Sequence, residues 1–243
     1  MPACFIHGFH AVTGRLRQSP ASVEELYFDA ERVDSRANEL RKLAAANSIK
    51  IFDVNRARLD GMAPPARHQG VVARVRDDAL QQLTLDGLLE GLTDTVLLVA
   101  LDGVTDPHNL GAILRVADAA GAHGVIVPKD RAVGLNATVR KVASGAAESV
   151  PLISVTNLAR ALDEVKEYDV QIIGASEDAP EPIYAADISR RAAWVFGSEG
   201  EGMRRLTRER CNVLARIPML GTVQSLNVSV SVALCLYESV RRR

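Results

Sequence analysis

The stretch TVLLVALDGVTDPHNLGAILRVADAAGAHGVIVP, residues 95–128, decides the fold. Its opening apolar run predicts a buried strand at 95–101, and the apolar run near its end predicts a second strand at 124–127. Between them, apolar residues at helical spacing predict a helix over 109–120; they are Leu110, Ile113, Leu114 and Ala117. A strand, a helix and a strand in this order are typical of a βαβ unit with parallel strands.

The same alternation continues to the C-terminus. Further strands are predicted at 152–155, 170–175, 193–197 and 213–217, and further helices at 136–147, 158–168, 203–211 and 225–242. Short apolar strands separated by helices imply an α/β domain with a mostly parallel sheet. We assign residues 92–243 to this domain.

The N-terminal part is predicted to be a second, small α/β unit at residues 1–76. Helices are expected at 9–16, 37–46 and 56–59, and strands at 25–28, 49–54 and 70–75. Residues 77–91 are polar and acidic, and we expect a linker that contains a short helix.

Charge is distributed unevenly between these parts. Residues 1–76 carry 12 lysines and arginines against 8 aspartates and glutamates, a net charge of +4, whereas the remainder carries −5. A basic unit beside an acidic one suggests that the N-terminal part meets a polyanion. Aromatic residues make up only 4% of the chain, which argues against a surface that binds rows of stacked bases.

Composition excludes several classes of protein. The cysteines Cys4, Cys211 and Cys235 are far apart in the sequence, so we expect neither a disulfide framework nor a metal site. The longest apolar run, 96–101, is too short to span a bilayer. The N-terminus lacks the apolar core of a signal peptide, so we expect a cytoplasmic protein without membrane association.

Three segments carry polar residues directly after predicted strands, where α/β proteins place their sites. The first is LDGVTDPHNLGAILR at 101–115. Asn109 is expected to cap the helix that follows, although a functional role stays open. Arg115 projects away from the apolar stripe of this helix, either as a solvated surface arginine or as part of a site.

The second segment is WVFGSEGEGM at 194–203. Its three glycines within six residues let the backbone turn sharply and approach a ligand closely. The spacing is not that of the usual dinucleotide or phosphate loops, which argues against a nucleotide-dependent oxidoreductase. Glu199 and Glu201 suit a ligand with a positive or hydroxyl-rich part.

The third segment, IPMLGTVQSLNVSV at 217–230, leads from a strand into the last helix. Ser225 is expected to cap this helix, with Asn227 inside the first turn. Capping does not account for Asn227, Ser229 and Ser231 among apolar neighbours, because buried polar side chains need partners.

In this order, the three segments resemble the motifs of the SpoU/TrmH branch of the SPOUT RNA methyltransferases. The pattern D-x-x-x-D-P-x-N-x-G-A-x-x-R matches residues 102–115, G-S-E-G-x-G matches 197–202, and I-P-M-x-G-x-x-x-S-L-N-V-S matches 217–229. The resemblance covers essentially residues 95–243. In addition, IHGFHAV at 6–12 and HQGV at 68–71 resemble the N-terminal RNA-binding domain of the family.

The resemblance implies a fold and an activity. The fold is a SPOUT-type α/β domain that ends in a deep trefoil knot, joined to a small N-terminal α/β RNA-binding domain. The activity is S-adenosylmethionine-dependent methylation of a ribose 2′-hydroxyl, with a guanosine of 23S ribosomal RNA near the peptidyl-transferase centre as the expected target, in ribosome biogenesis. The family further implies a homodimer whose active site combines loops of both subunits, with ribosomal RNA and not DNA as the partner.

The resemblance also assigns residues by motif position. The implied cofactor-binding residues are Gly197, Glu199, Gly202, Ile217, Met219 and Leu226. The implied catalytic residues are Arg115, Asn109, Glu199, Ser225 and Asn227. An arginine side chain is effectively always protonated, so we interpret Arg115 as an electrostatic stabiliser and phosphate anchor rather than as a base.

Two other functions stay open on the sequence. One is a transfer-RNA ribose 2′-O-methyltransferase of the same family, which the separate N-terminal domain disfavours. The other is a non-catalytic RNA-binding protein on the same fold, which the intact motif residues disfavour.

Overall fold

The computed structural model describes residues 4–18, 20–32, 34–63, 68–76, 83–92, 94–198 and 200–243. The chain divides into two compact units. Unit 1 comprises Met1–Gln82 together with Ser144–Ser149, and unit 2 comprises Leu83–Ala143 and Val150–Arg243. Glu199, one of the predicted site residues, lies outside the described residues.

Unit 1 is built on a small mixed sheet. Its strands are β1 (Cys4–His7), β2 (Val23–Asp29), β3 (Lys50–Val54) and β4 (Val71–Val75), and its helices are α1 (Phe9–Gln18), α2 (Ser35–Ala46) and α3 (Arg56–Met62). Within the described residues the strand order is β1-β4-β2-β3. Strand β4 runs antiparallel to β1 and β2, whereas β2 and β3 are parallel. Strand β1 was not predicted from the sequence.

The two faces of this sheet are covered differently. Helices α1 and α2 pack on one face through a continuous apolar core that includes Val12, Leu16, Leu40 and Phe28. Helix α3 packs on the other face in a smaller cluster around Leu59. The second face therefore has less apolar cover than the first.

Unit 1 also includes the segment Ser144–Ser149, which is distant from it in the sequence. Arg15 on α1 is buried and donates to Ser22 Oγ (2.6 Å) and to the Arg76 carbonyl (2.8 Å). Its guanidinium also forms an ion pair with the buried carboxylate of Glu148, with Nη1 and Oε2 3.8 Å apart. Because a buried charge is tolerated only when it is paired, Arg15 and Glu148 stabilise each other's position.

Unit 2 is an α/β domain. Its strands are β5 (Val96–Asp102), β6 (Gly124–Pro128), β7 (Leu152–Val155), β8 (Gln171–Ala175), β9 (Glu181–Pro182), β10 (Arg191–Gly197) and β11 (Val213–Arg216). Its helices are α4 (Leu85–Glu90), α5 (Pro107–Ala119), α6 (Ala137–Ala143), α7 (Leu158–Lys166), α8 (Arg205–Glu209) and α9 (Val228–Arg241). Among the described residues the strand order is β7-β6-β5-β10-β8-β11-β9, with parallel pairing throughout. The predicted α/β class with a mostly parallel sheet is confirmed.

Three elements of unit 2 differ from the sequence-based expectations. The helix predicted over 136–147 ends at Ala143, because Ser144 and Gly145 adopt left-handed backbone conformations with φ of 53° and 97°. The last helix begins at Val228 rather than at Ser225. Strand β9 was not predicted, since its two residues carry no apolar pattern and pair only with β11.

Helix α4 lies in the stretch expected to be a linker, and it packs on the sheet of unit 2. Leu85, Leu88 and Leu89 are buried in a core cluster of this unit, together with strand residues such as Leu98 and Ile126. Within the part of the chain that the structure describes, no helix is long and apolar enough to cross a membrane.

Candidate functional site

A cleft of about 780 Å³ opens at the carboxyl ends of β8, β10 and β11. Parallel pairing brings these strand ends to one edge of the sheet, which is where α/β folds bind ligands. The walls come from the segment after β8, the glycine loop after β10 and the segment between β11 and α9. They include Ser176, Asp178, Gly197, Gly202, Met203, Ile217, Met219, Ser225, Leu226 and Asn227.

The loop after β10 turns back directly onto the end of its own strand. Ser198 and Gly202 exchange backbone hydrogen bonds of 3.1 and 3.0 Å. A Cβ atom on Gly197 would lie only 1.9 Å from the carbonyl carbon of Gly202 and 2.1 Å from the amide nitrogen of Met203. Gly197 therefore has to be glycine, because the backbones on the two sides of this turn are in direct contact.

The first loop fixes the end of the second. Asp102, the buried last residue of β5, accepts the backbone N–H of Arg204 at 2.8 Å. The Arg204 guanidinium lies over the same carboxylate, 3.3 Å from Oδ1. The glycine loop is thus held at both ends, by its own strand at Gly197 and by β5 at Arg204.

The first and third loops meet through a hydrogen bond between two side-chain amides. Asn227 Nδ2 donates to Asn109 Oδ1 at 2.9 Å, across 118 residues of sequence. The other end of the Asn227 side chain accepts the backbone N–H and the hydroxyl of Ser229, at 2.8 and 2.6 Å. Both polar ends of the Asn227 amide are therefore engaged, which fixes its orientation.

These contacts correct the two predicted helix caps. Asp106, not Asn109, caps α5 by accepting the His108 N–H, and Pro107 takes the first helical position. Asn227, not Ser225, caps α9, and Ser225 lies in the preceding loop. Asn109 is buried inside the first turn of α5, where its side chain is available to the third loop.

Most of the predicted site residues come together at the cleft. Its walls contain seven of them, which are Gly197, Gly202, Ile217, Met219, Ser225, Leu226 and Asn227. Asn109 joins them through Asn227. Arg115 is exposed on α5 and, among the described residues, does not belong to the walls of this cleft.

Sequence reasoning missed the wall formed by the segment after β8. Ser176 and Asp178 lie there with Arg208 of α8, whose guanidinium pairs with the Asp178 carboxylate at 2.9 Å. The hydrogen bond from the Ser176 hydroxyl and the charge of Arg208 lower the pKa of Asp178, so this carboxyl is ionised at neutral pH. The missed signal was topological, because the segment follows a buried parallel strand just as the other loops do.

The remaining titratable groups offer neither a metal site nor a reactive thiol. Among the described residues, no group of three or more histidine, cysteine, aspartate or glutamate side chains is placed to hold a metal ion. Burial raises the pKa of the Cys211 thiol to about 11 and also raises that of Cys235, so both stay protonated at neutral pH. The cleft therefore presents amides, hydroxyls and apolar side chains around a close backbone turn, with the paired charges of Asp178 and Arg208 in one wall.

Comparison with known protein families gives two matches that together cover most of the chain. Residues 96–237 match the model of the SpoU rRNA Methylase family. Residues 5–80 match the model described as RNA 2'-O ribose methyltransferase substrate binding. All three motif segments fall within or at the edges of the first match.

Curated relatives align with nearly the whole chain. It is 56% identical over 236 residues to the 23S rRNA (guanosine-2'-O-)-methyltransferase RlmB of Ralstonia nicotianae, covering 97% of this chain and 94% of that protein. It is 49% identical over 239 residues to the protein of the same name from Escherichia coli, covering 98% of both. Among solved structures, the chain is similar to the SpoU methyltransferase AviRb from Streptomyces viridochromogenes in complex with AdoMet. The superposition covers 99% of this chain and 90% of AviRb. The TM-score is 0.75 at 24% identity, so this likeness concerns the fold alone.

The backbone contact at Gly197 leads to a prediction about the glycine loop. Gly197→Ala should displace the loop, because its methyl group would overlap the Gly202 carbonyl carbon. We expect a loss of about 2 kcal/mol in the free energy of unfolding, as in overpacked cores, and no measurable binding of S-adenosylmethionine by calorimetry. Gly221→Ala is the matched control, since a Cβ there meets nothing within 4 Å. Normal cofactor binding by Gly197→Ala would contradict this view of the loop.

Proposed function

Because the chain belongs to the SpoU rRNA methylase family, we propose that it transfers a methyl group from S-adenosylmethionine to the ribose 2′-hydroxyl of a guanosine in 23S ribosomal RNA. The observation that carries the proposal is the hydrogen bond from Asn227 to Asn109. It joins the first and third motifs beside the cleft that the second motif encloses. The high identity to curated relatives over nearly their full length supports ribosomal RNA as the substrate.

The residues of the cleft fit the cofactor. A volume of about 780 Å³ is in the usual range for a ligand of this size. Ile217, Met219 and Leu226 offer apolar surface for an adenine ring, while Gly197 and Gly202 leave backbone groups open to the ligand. When bound, S-adenosylmethionine supplies an electrophilic methyl group on a sulfonium.

The polar residues act on the ribose oxygen. A 2′-hydroxyl is a weak nucleophile, and negative charge develops on its oxygen as its proton leaves to a phosphate oxygen or to water. Asn109, Asn227 and Ser225 provide neutral hydrogen-bonding groups, and the fixed Asn227 amide needs no reorganisation before reaction. Glu199, from the second motif, completes the proposed catalytic group by its place in the sequence.

Arg115 supplies the positive charge in this proposal. Its guanidinium stabilises the developing alkoxide and holds the adjoining phosphate. Within the described residues Arg115 is exposed and stands apart from the walls of its own chain's cleft. This position supports a shared active site, in which the Arg115 of one subunit serves the cleft of its partner.

Helix α9 supports the proposed homodimer. Its inward side, with Val232, Cys235 and Leu236, is buried in unit 2. Its outward side carries an apolar stripe at helical spacing, formed by Val230 (46% exposed), Leu234 (37%) and Tyr237 (51%). A second copy of the chain would cover this stripe.

The remaining assignments also belong to the proposal. Residues 1–76 are the RNA-binding domain, 77–91 the linker, whose helix α4 packs on the sheet of unit 2, and 92–243 the methyltransferase domain, with Ser144–Ser149 packing as part of unit 1. The high identity to curated 23S ribosomal RNA methyltransferases favours ribosomal RNA over transfer RNA. We further propose the trefoil knot of the family at the C-terminus, and a cytoplasmic location, where ribosomal RNA is assembled.

The proposed activity is tested by incubating the protein with labelled S-adenosylmethionine, with EDTA present, and either unmodified 23S ribosomal RNA or transfer RNA. We expect label at one guanosine ribose of the 23S RNA and none in transfer RNA. Labelled transfer RNA would favour the alternative substrate. Tight RNA binding without methylation would favour a non-catalytic protein, and activity restored only by added magnesium or zinc would contradict a metal-free mechanism.

Arg115→Ala should lower the single-turnover rate by a factor on the order of 10²–10³, the scale seen when one preorganised donor is lost. Cofactor affinity and melting temperature should stay unchanged, because the side chain is exposed. Arg115→Lys should recover part of the rate if the charge matters more than the planar fork. A shared active site also predicts that co-expressed Arg115→Ala and Asn227→Ala chains regain activity that neither variant has alone. A normal rate for Arg115→Ala would make Arg115 a simple surface residue.

Leu234→Asp should dissociate the dimer and abolish methylation together, because it places an unpaired charge in a buried apolar contact. Sedimentation velocity and the methylation rate measure the two effects. Tyr184→Asp is the control, since Tyr184 is a similarly exposed apolar side chain outside α9. An active monomer of Leu234→Asp would refute the role of the stripe.

A further inference from the structure

The outer face of the unit 1 sheet carries an exposed aromatic ring. Phe52 of β3 pairs with Tyr27 of β2 in register, so the two side chains lie on the same face, opposite α1 and α2. Their rings stack with centroids 5.4 Å apart and planes inclined by 21°. Tyr27 is buried, whereas Phe52 is 40% exposed. The apolar cluster beneath α3 includes Tyr27 but not Phe52, so the core does not account for this side chain.

Cationic side chains flank this ring. Lys50 lies two residues earlier on the same strand, on the same face, and is exposed. The guanidinium of Arg58, on α3, lies 5.9 Å from the centre of the Tyr27 ring. Arg74 of β4 lies on this face as well, but its charge is engaged by Glu24 and Glu25 at 3.1 and 3.4 Å. Lys50 lies opposite Glu25 in the register and interacts with its charge. Among the described residues, however, neither Lys50 nor Arg58 forms an ion pair, so these two are the cations available to a ligand on Phe52.

An exposed aromatic ring with two cations on the same face of the sheet is complementary to a nucleotide. A nucleobase stacks on the ring, and the phosphates on either side of it are attracted to the flanking charges. Only an unpaired base offers its face in this way, because bases within a helix are already stacked on each other. The scarcity of aromatic residues agrees with a site for one base rather than for a row of bases.

We propose that Phe52, supported from behind by Tyr27 and flanked by Lys50 and Arg58, is a stacking site for a single unpaired base of the substrate RNA. This inference rests on the proposed function, in that the RNA is the methylation substrate. It adds a second recognition point, on unit 1, to the nucleotide whose ribose is modified. The site selects RNA that carries an unpaired base in addition to the target nucleotide.

The test compares Phe52→Leu, which keeps the apolar volume but lacks the ring, with Phe52→Trp, which keeps a stacking surface. The ligand is an unmodified fragment of 23S RNA, and its affinity is measured by fluorescence anisotropy beside the melting temperature and the S-adenosylmethionine affinity. We expect Phe52→Leu to lose roughly tenfold or more in RNA affinity and Phe52→Trp to bind like the wild type. Tyr184→Leu, at an exposed aromatic residue of unit 2, should change nothing.

The salt dependence of binding tests the cations. Lys50→Gln and Arg58→Gln should each lower the slope of log affinity against log salt by about one, as expected for one lost phosphate contact. The control is Lys42→Gln, which removes one positive charge from an exposed position of α2. Because α2 covers the opposite face of the sheet, this variant should leave the slope unchanged.

Three results would overturn the inference. Phe52→Leu could bind the RNA with wild-type affinity, or Phe52→Leu and Phe52→Trp could lose RNA affinity equally. In the third, Phe52→Leu would change the sedimentation of the protein without changing its RNA affinity. The last would make Phe52 a contact between protein copies. The methylation assay keeps the proposed function separate. If the wild type binds the fragment through Phe52 but does not methylate it, the proposed function fails and the stacking site stands. If it methylates the fragment and Phe52→Leu binds normally, only the stacking site fails.

Discussion

The direct backbone contact between Gly197 and the Gly202–Met203 peptide is the constraint on which the cleft depends. The turn brings Gly202 back to Ser198, with which it exchanges two backbone hydrogen bonds, and both residues line the cleft. Asp102 then holds the end of this turn through the Arg204 backbone, which ties the second loop to β5. With that wall fixed, the segment between β11 and α9 closes the other side, and Asn227 reaches Asn109. The shape of the cleft is thus set by main-chain contacts and amide hydrogen bonds between segments that lie far apart in the sequence.

Periodicity alone predicts the parts of the fold that are buried on both sides. The run Val96–Asp102 is fully buried, and its uninterrupted apolar pattern is typical of a central parallel strand. Elements that form through tertiary contacts escape this reasoning. Strand β9 exists because two residues pair with the sheet edge. Helix α6 ends where Ser144 and Gly145 adopt left-handed backbone conformations, a stop that Gly145 signals but apolar periodicity does not. The cap of α5 was predictable in principle, because Pro107 favours the first helical position and Asp106 precedes it.

The same distinction applies to the site: motif positions predict some of its residues, and the tertiary fold alone reveals how others come into contact. Motif positions identify the glycine loop and the segment 217–229, and seven of the predicted residues line one cleft. They do not reveal that Asn227 and Asn109 bond to each other, since both are good helix caps locally and only the tertiary fold brings them together. The wall at Ser176 and Asp178 was missed because its sequence has no glycine or capping signature. A trefoil knot is equally invisible to periodicity, since the threading of a chain leaves no mark on its hydrophobic pattern.

The ion pair between Arg15 and Glu148 has a consequence for synthesis on the ribosome. Domains generally fold as units while the chain emerges from its N-terminus. Unit 1 cannot complete its packing when residue 82 appears, because Ser144–Ser149 has not yet been translated. Until Glu148 is translated, Arg15 is without this buried counter-charge. Unit 1 therefore stays incompletely packed while a large part of unit 2 is synthesised. The same contact limits the exchange of the N-terminal domain in evolution. A different domain joined at the linker would lack Arg15, and Glu148 would lose this ion pair. The folding of unit 1 therefore depends on a segment that is translated only after much of unit 2.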